Sequence, residues 1–174
     1  MSRSLAPRPN INLRALPVLA LAGRAVLTFR NIETGSHFTV KIRQKHDKKD
    51  RKIKLPAYNV EISLLGDGVT RYRYAGMIFT DKPQLRGWVA RTVEPGSQLD
   101  RVFRWLLGAI VNPEVLRGKV GLFHEDKCCC CGLPLTHPES IYTAMGPVCL
   151  KRKEAELAGK NIVVADLFEQ VSTI

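Results

Sequence analysis

All five cysteines of the chain fall between Cys128 and Cys149, and Cys128 to Cys131 are consecutive. This crowding constrains the fold more than any other feature. A disulfide framework spreads its cysteines along a chain to staple distant segments, whereas thiols gathered in one stretch suit a metal site. Cys128 and Cys131 have the C-x2-C spacing that lets one turn present two thiolates to the same ion. Gly132, directly after them, supplies the backbone freedom such a turn needs. Cys149 follows Gly146-Pro147 at the start of an expected helix, where the helix dipole favours a thiolate.

Tetrahedral zinc takes four donors. His124 is the first choice for the fourth and gives the pattern H-x3-C-x2-C-x17-C. His137, in the intervening loop, is second. Cys129 and Cys130 come last, because residues inside a narrow turn tend to point away from the ion. The competing readings are small buried residues, since free cysteine often packs in a core, and a catalytic thiol, which would need a His base and an orienting acid. Neither explains Gly132 or the distant Cys149.

The stretch CGLPLTHPESIYTAMGPVC resembles the signature of an uncharacterised family of short zinc-binding modules common in phage and bacterial proteins. Cys128, Cys131, Gly132, Leu135, Thr136, Pro138, Ser140, Ile141, Gly146, Pro147 and Cys149 fall on its positions without a gap. Family members often carry a His before the first Cys, as His124 stands here. Leu133 replaces the usual Arg, and Ala144 the usual Gly, which implies a different turn before Met145. The resemblance implies Zn2+ and a phage-encoded protein in a host cytoplasm, but no chemistry. Thr136 and Ser140 read as turn and capping residues that close the loop over the metal.

Upstream the hydrophobic period is two. Ala25, Leu27 and Phe29 alternate with polar neighbours, as do Phe38, Val40 and Ile42, then Tyr58, Val60, Ile62 and Leu64. Arg71 to Phe79 and Gly87 to Val93 read as two further strands, with Gly66-Asp67-Gly68 as a tight turn. From Ser97, a candidate N-cap, the period becomes 3.6: Leu99, Val102, Phe103, Leu106, Leu107 and Ile110 line one helix face until Asn112-Pro113. Short helices are expected from Pro147 to Ala158 and from Ala165 to Val171. The fold class is therefore α+β: an N-terminal antiparallel sheet of four or five strands that could close into a barrel, a helix, and a small C-terminal zinc module. The organisation reads as an extended arm over 1–20, a β-rich domain with its closing helix over 21–118, and the Cys-rich module over 119–174.

The net charge of +11 implies a polyanionic partner, most simply DNA or RNA. The candidate contacts are Arg43, Lys45, Lys48, Lys49, Arg51, Lys52 and Lys54 around a solvated loop, Arg71 and Arg73 on one strand, and Lys151, Arg152 and Lys153 beside Cys149. Tyr72 and Tyr74, with Trp88 and Trp105, read as core residues. No paired carboxylates or His-rich centre support catalysis, so the chain reads as a non-enzymatic, zinc-stabilised nucleic-acid-binding protein. The alternative is a protein-interaction module that occupies a host enzyme or nucleoprotein complex. The absence of a long apolar run and the clustered thiols point to the cytoplasm.

Overall fold

The computed structural model describes residues 11–64 and 71–160. The expected helix at 165–171, the Gly66–Gly68 turn and the first ten residues of the arm lie outside the described residues.

Alternating apolar residues produce the strands. β1 (Arg24–Asn31) pairs antiparallel with β2 (His37–His46), β2 with β3 (Lys54–Leu64), β3 with β4 (Arg73–Phe79), and β4 with the short β5 (Arg86–Val89). A sixth strand, β6 (Val120–His124), returns after the helical segment and pairs antiparallel with β1. The sheet is open rather than barrel-like, in the order β5-β4-β3-β2-β1-β6. The register aligns Leu27, Val40 and Ile62 across three neighbouring strands, all fully buried on one face. Each such side chain contributes about 1.5–3 kcal/mol on leaving water.

The helices cover that face. α2 (Gln98–Val111) starts at the expected N-cap: the Ser97 hydroxyl accepts the Asp100 N–H, 3.3 Å away, and the helix ends at Asn112. Asp100 is itself buried, accepting from the Gly96 N–H at 2.9 Å and from Arg104 at 2.8 Å, and these donors hold its carboxyl below the usual range. The end of the expected arm is not extended. A 3-10 turn at Leu13–Ala15 leads into α1 (Leu16–Ala20), whose residues are all buried. Proline does not prevent this, because Pro17 occupies the first turn, where its missing N–H has no partner to lose. Ile11, Val18, Leu19 and Leu21 supply the apolar surface that anchors the segment in the core.

Two further expectations change. The basic loop is shorter than Lys45 to Lys54, because β2 runs to His46 and β3 begins at Lys54. Tyr74, Trp88 and Trp105 are exposed, and Tyr72 is half-buried. For the tyrosines the cause is a β-bulge: the β3–β4 register shifts between Val60 and Glu61, so Ala75 and Gly76 both turn inward and strict alternation fails. Trp105 is exposed on one side only, its other side set edge-on against Phe29 and Phe38. Among the described residues no helix is long and apolar enough to cross a membrane.

Candidate metal centre

β6 delivers the chain to a hairpin built around the cysteines. Lys127 bridges to Pro134, the Cys128 N–H donates to the Leu133 carbonyl at 2.8 Å, and the Gly132 N–H donates to the Cys128 carbonyl at 2.9 Å. Gly132 has φ 77°, the left-handed conformation that glycine adopts without a Cβ penalty. The chain then forms α3 (Pro138–Thr143), with Ser140 buried, and α4 (Pro147–Gly159). Ala144 joins them with φ 57°, so it takes up the left-handed turn at the position where the resembling modules carry glycine. Cys149 sits in the first turn of α4.

This arrangement brings the sulfurs of Cys128, Cys131 and Cys149 within 4.8 Å of one another. They form a cluster that can hold a metal ion. Cys128 is the best prepared of the three: burial opposes its ionisation, but N–H groups of Cys131, Gly146 and Cys130 hydrogen-bond its sulfur and hold its pKa below the ordinary value. Cys149 is pushed up to about 12, by burial and then by the neighbouring sulfurs of Cys128 and Cys130. One thiolate thus forms readily and suppresses the next. A cation between them reverses that repulsion, since a coordinating thiol loses its proton outright.

His124 stands outside the cluster. The Asp126 N–H donates to its Nδ1 at 3.0 Å, which places the ring proton on Nε2, 2.6 Å from the Ile141 carbonyl. The imidazole therefore ties β6 to α3, and both ring nitrogens are spent on backbone groups. His137 is exposed at the N-cap of α3 and is not in the cluster either. Cys129 is buried in the core, where burial pushes its thiol up to about 12. Its carbonyl accepts the Arg24 N–H at 2.7 Å, and its N–H donates to Ala144 at 3.0 Å. Cys130 lies at the rim, 3.4 Å from the Arg152 guanidinium, which also approaches Cys149 at 3.8 Å.

Two of the expected nucleic-acid contacts thus have other work. Arg152 is exposed, yet its guanidinium is turned onto the sulfurs of Cys130 and Cys149. Lys153 is 2% exposed and faces inward, not toward a ligand, because the helical turn after Cys149 carries it beneath α4 onto Tyr58 and Glu156. Lys151 remains exposed. Arg43, on β2, is exposed and Lys45 half-buried; Lys48, Lys49, Arg51, Lys52 and Lys54 are exposed, as are Arg71 and Arg73. Asp47 and Asp50 shape the loop: Asp47 accepts from the Lys49 and Asp50 N–H groups, and Asp50 from that of Lys52. The role of Arg152 was detectable in advance, since an Arg three residues after a helical Cys shares its face.

A family model described as a family of unknown function (DUF6011) matches residues 123–152, from the end of β6 through the hairpin into α4, and so contains all three clustered sulfurs. No curated protein and no solved structure matches the chain.

Proposed function

We propose that the chain is a non-enzymatic protein in which a zinc ion staples the C-terminal hairpin to α4 while the basic surface binds nucleic acid. The observation that carries the metal half is the convergence of Cys128, Cys131 and Cys149. Thiolate donors, a C-x2-C turn and a helix N-terminus suit zinc, and the ion would cross-link the hairpin to α4. The binding half rests on net charge and on the loop between β2 and β3, where Lys48, Lys49, Arg51 and Lys52 are exposed on a scaffold fixed by Asp47 and Asp50. A fixed loop backbone lowers the cost of ordering these cations on phosphates, and the released counterions drive association.

Two measurements test the two halves separately. Protein purified without chelator should carry about one equivalent of zinc, as a single thiolate cluster demands. Labelled oligonucleotides should bind at low salt and dissociate steeply as salt rises. A preparation free of zinc removes the staple. Absence of any binding at low salt removes nucleic acid as the partner and leaves an acidic protein surface as the match for the charge.

A further inference from the structure

The helices that pack on the sheet do so on one side. Phe103 of α2 approaches Gly76, Leu107 approaches Gly87, and Lys153 of α4 reaches Tyr58. The alternate residues project from the opposite face. There the register places Arg24 beside Arg43, Arg43 beside Asn59, Asn59 beside Met77, and Met77 beside Trp88, one residue from each of five strands. At about 4.8 Å per strand this row spans roughly 19 Å. Its β1–β2 end is cationic, and its β4–β5 end is apolar. Trp88 is 44% exposed, and Met77 and Phe79 beside it are half-buried. In the next row Glu61 is matched by Lys41, so the face carries net positive charge.

We infer that this open face binds single-stranded nucleic acid, with phosphates on Arg24 and Arg43 and a base stacked on Trp88. The inference rests on the reading of the basic surface as a nucleic-acid site and adds which surface and which form. A backbone-tracking set of cations combined with an exposed aromatic is the chemistry of single-strand binding, because an unpaired base offers its flat side to the ring. A duplex hides those sides and would leave Trp88 unused. An acidic protein would answer the arginines but not the apolar end.

The chain has two tryptophans, so a Trp105→Phe background leaves Trp88 as the only reporter. Titration with oligo-dT of about 15 nucleotides should quench its emission, and a duplex of the same length should bind at least about tenfold more weakly. Trp88→Ala should cost about tenfold in affinity and Trp88→Phe should restore most of it. Arg43→Glu should weaken binding and flatten its salt dependence. Both sites are exposed, and a thermal melt by circular dichroism confirms that each variant folds. Equal affinity for duplex, together with an inert Trp88→Ala, overturns the inference. If charge reversal of Lys48, Lys49 and Lys52 then abolishes binding, the broader nucleic-acid reading survives without it. If nothing binds at low salt, both fall together.

Discussion

The Lys153 ammonium lies 3.4 Å from the Tyr58 hydroxyl, and that hydroxyl donates to the Leu21 carbonyl at 3.0 Å. Three elements far apart in sequence meet in this chain of contacts: α4 of the cysteine module, the middle of the sheet, and the end of α1. Glu156 completes it by accepting from Lys153 at 3.2 Å and from Lys160 at 3.3 Å. The cysteine module is thus fastened to the sheet by the Lys153–Tyr58 contact as well as by packing, and Glu156 balances the buried ammonium from the same helix.

Burial holds the Lys153 pKa below its ordinary value, with Glu156 opposing the shift and Lys54 and Lys160 adding to it. The unfolded chain therefore binds more protons than the folded one between the lowered pKa and about 10.4. Stability should rise with pH across that window. Tyr58, shifted upward by burial and by Glu156, works in the opposite sense but only above its own ordinary value of about 10. Urea unfolding at pH 8 and pH 10 should show the wild type gaining on Lys153→Met. Parallel behaviour would mean that the ammonium is solvated in the fold. Glu156→Gln at pH 7 should destabilise by about 1 kcal/mol, since the carboxylate is partly exposed and its contribution is screened.

For the metal centre, cobalt substitution separates ligands from neighbours. Cys128→Ser, Cys131→Ser and Cys149→Ser should each weaken cobalt binding and reduce the sulfur-to-cobalt charge-transfer band. His124→Gln should keep the band while lowering stability by about 1 kcal/mol, because two half-buried backbone partners lose their hydrogen bonds. Arg152→Ala should weaken affinity about tenfold without shifting the band, as expected of a group that supports ligands rather than binding the ion. Loss of the band in His124→Gln would return the imidazole to the ligand set.

Gly76 stands at the bulge with φ 158°, and a Cβ built there would lie 2.1 Å from the Trp88 carbonyl oxygen. The obstacle is backbone, which cannot swing aside as a side chain would. Gly76→Ala should therefore destabilise by about 2 kcal/mol or more and loosen β5. Denaturant unfolding measures the first effect, and amide exchange in Arg86–Val89 the second. An unchanged midpoint would show that β5 shifts freely.

Much of this architecture was legible in the residues. The alternation at Ala25–Phe29, Phe38–Ile42 and Tyr58–Leu64 marks the three central strands, and Ser97 with Asn112-Pro113 brackets α2 correctly. β6 was not legible: Val120–His124 is five residues long, contains Gly121, and pairs with a strand far away in sequence. Alternation also fails where a bulge intervenes, which is why Tyr74 is outside. At the cysteine cluster the spacing anticipated the convergence of Cys128, Cys131 and Cys149, since that convergence depends on local turns. The direction of His124 and Lys153 depends on what packs above them, and spacing carries no record of that.

The pairing of β6 with β1 bears on how the chain can be divided. Val120–His124 closes the flank of β1 and continues directly into the cysteine hairpin, whose Cys129 carbonyl then receives the first N–H of β1. A fragment ending ahead of residue 120 would leave β1 with an unpaired row of N–H and C=O groups, an adhesive border open to any passing strand. The piece that keeps this border paired therefore includes β6 and the hairpin, so this sheet and its cysteine module would have to be inherited, expressed and transplanted as one unit.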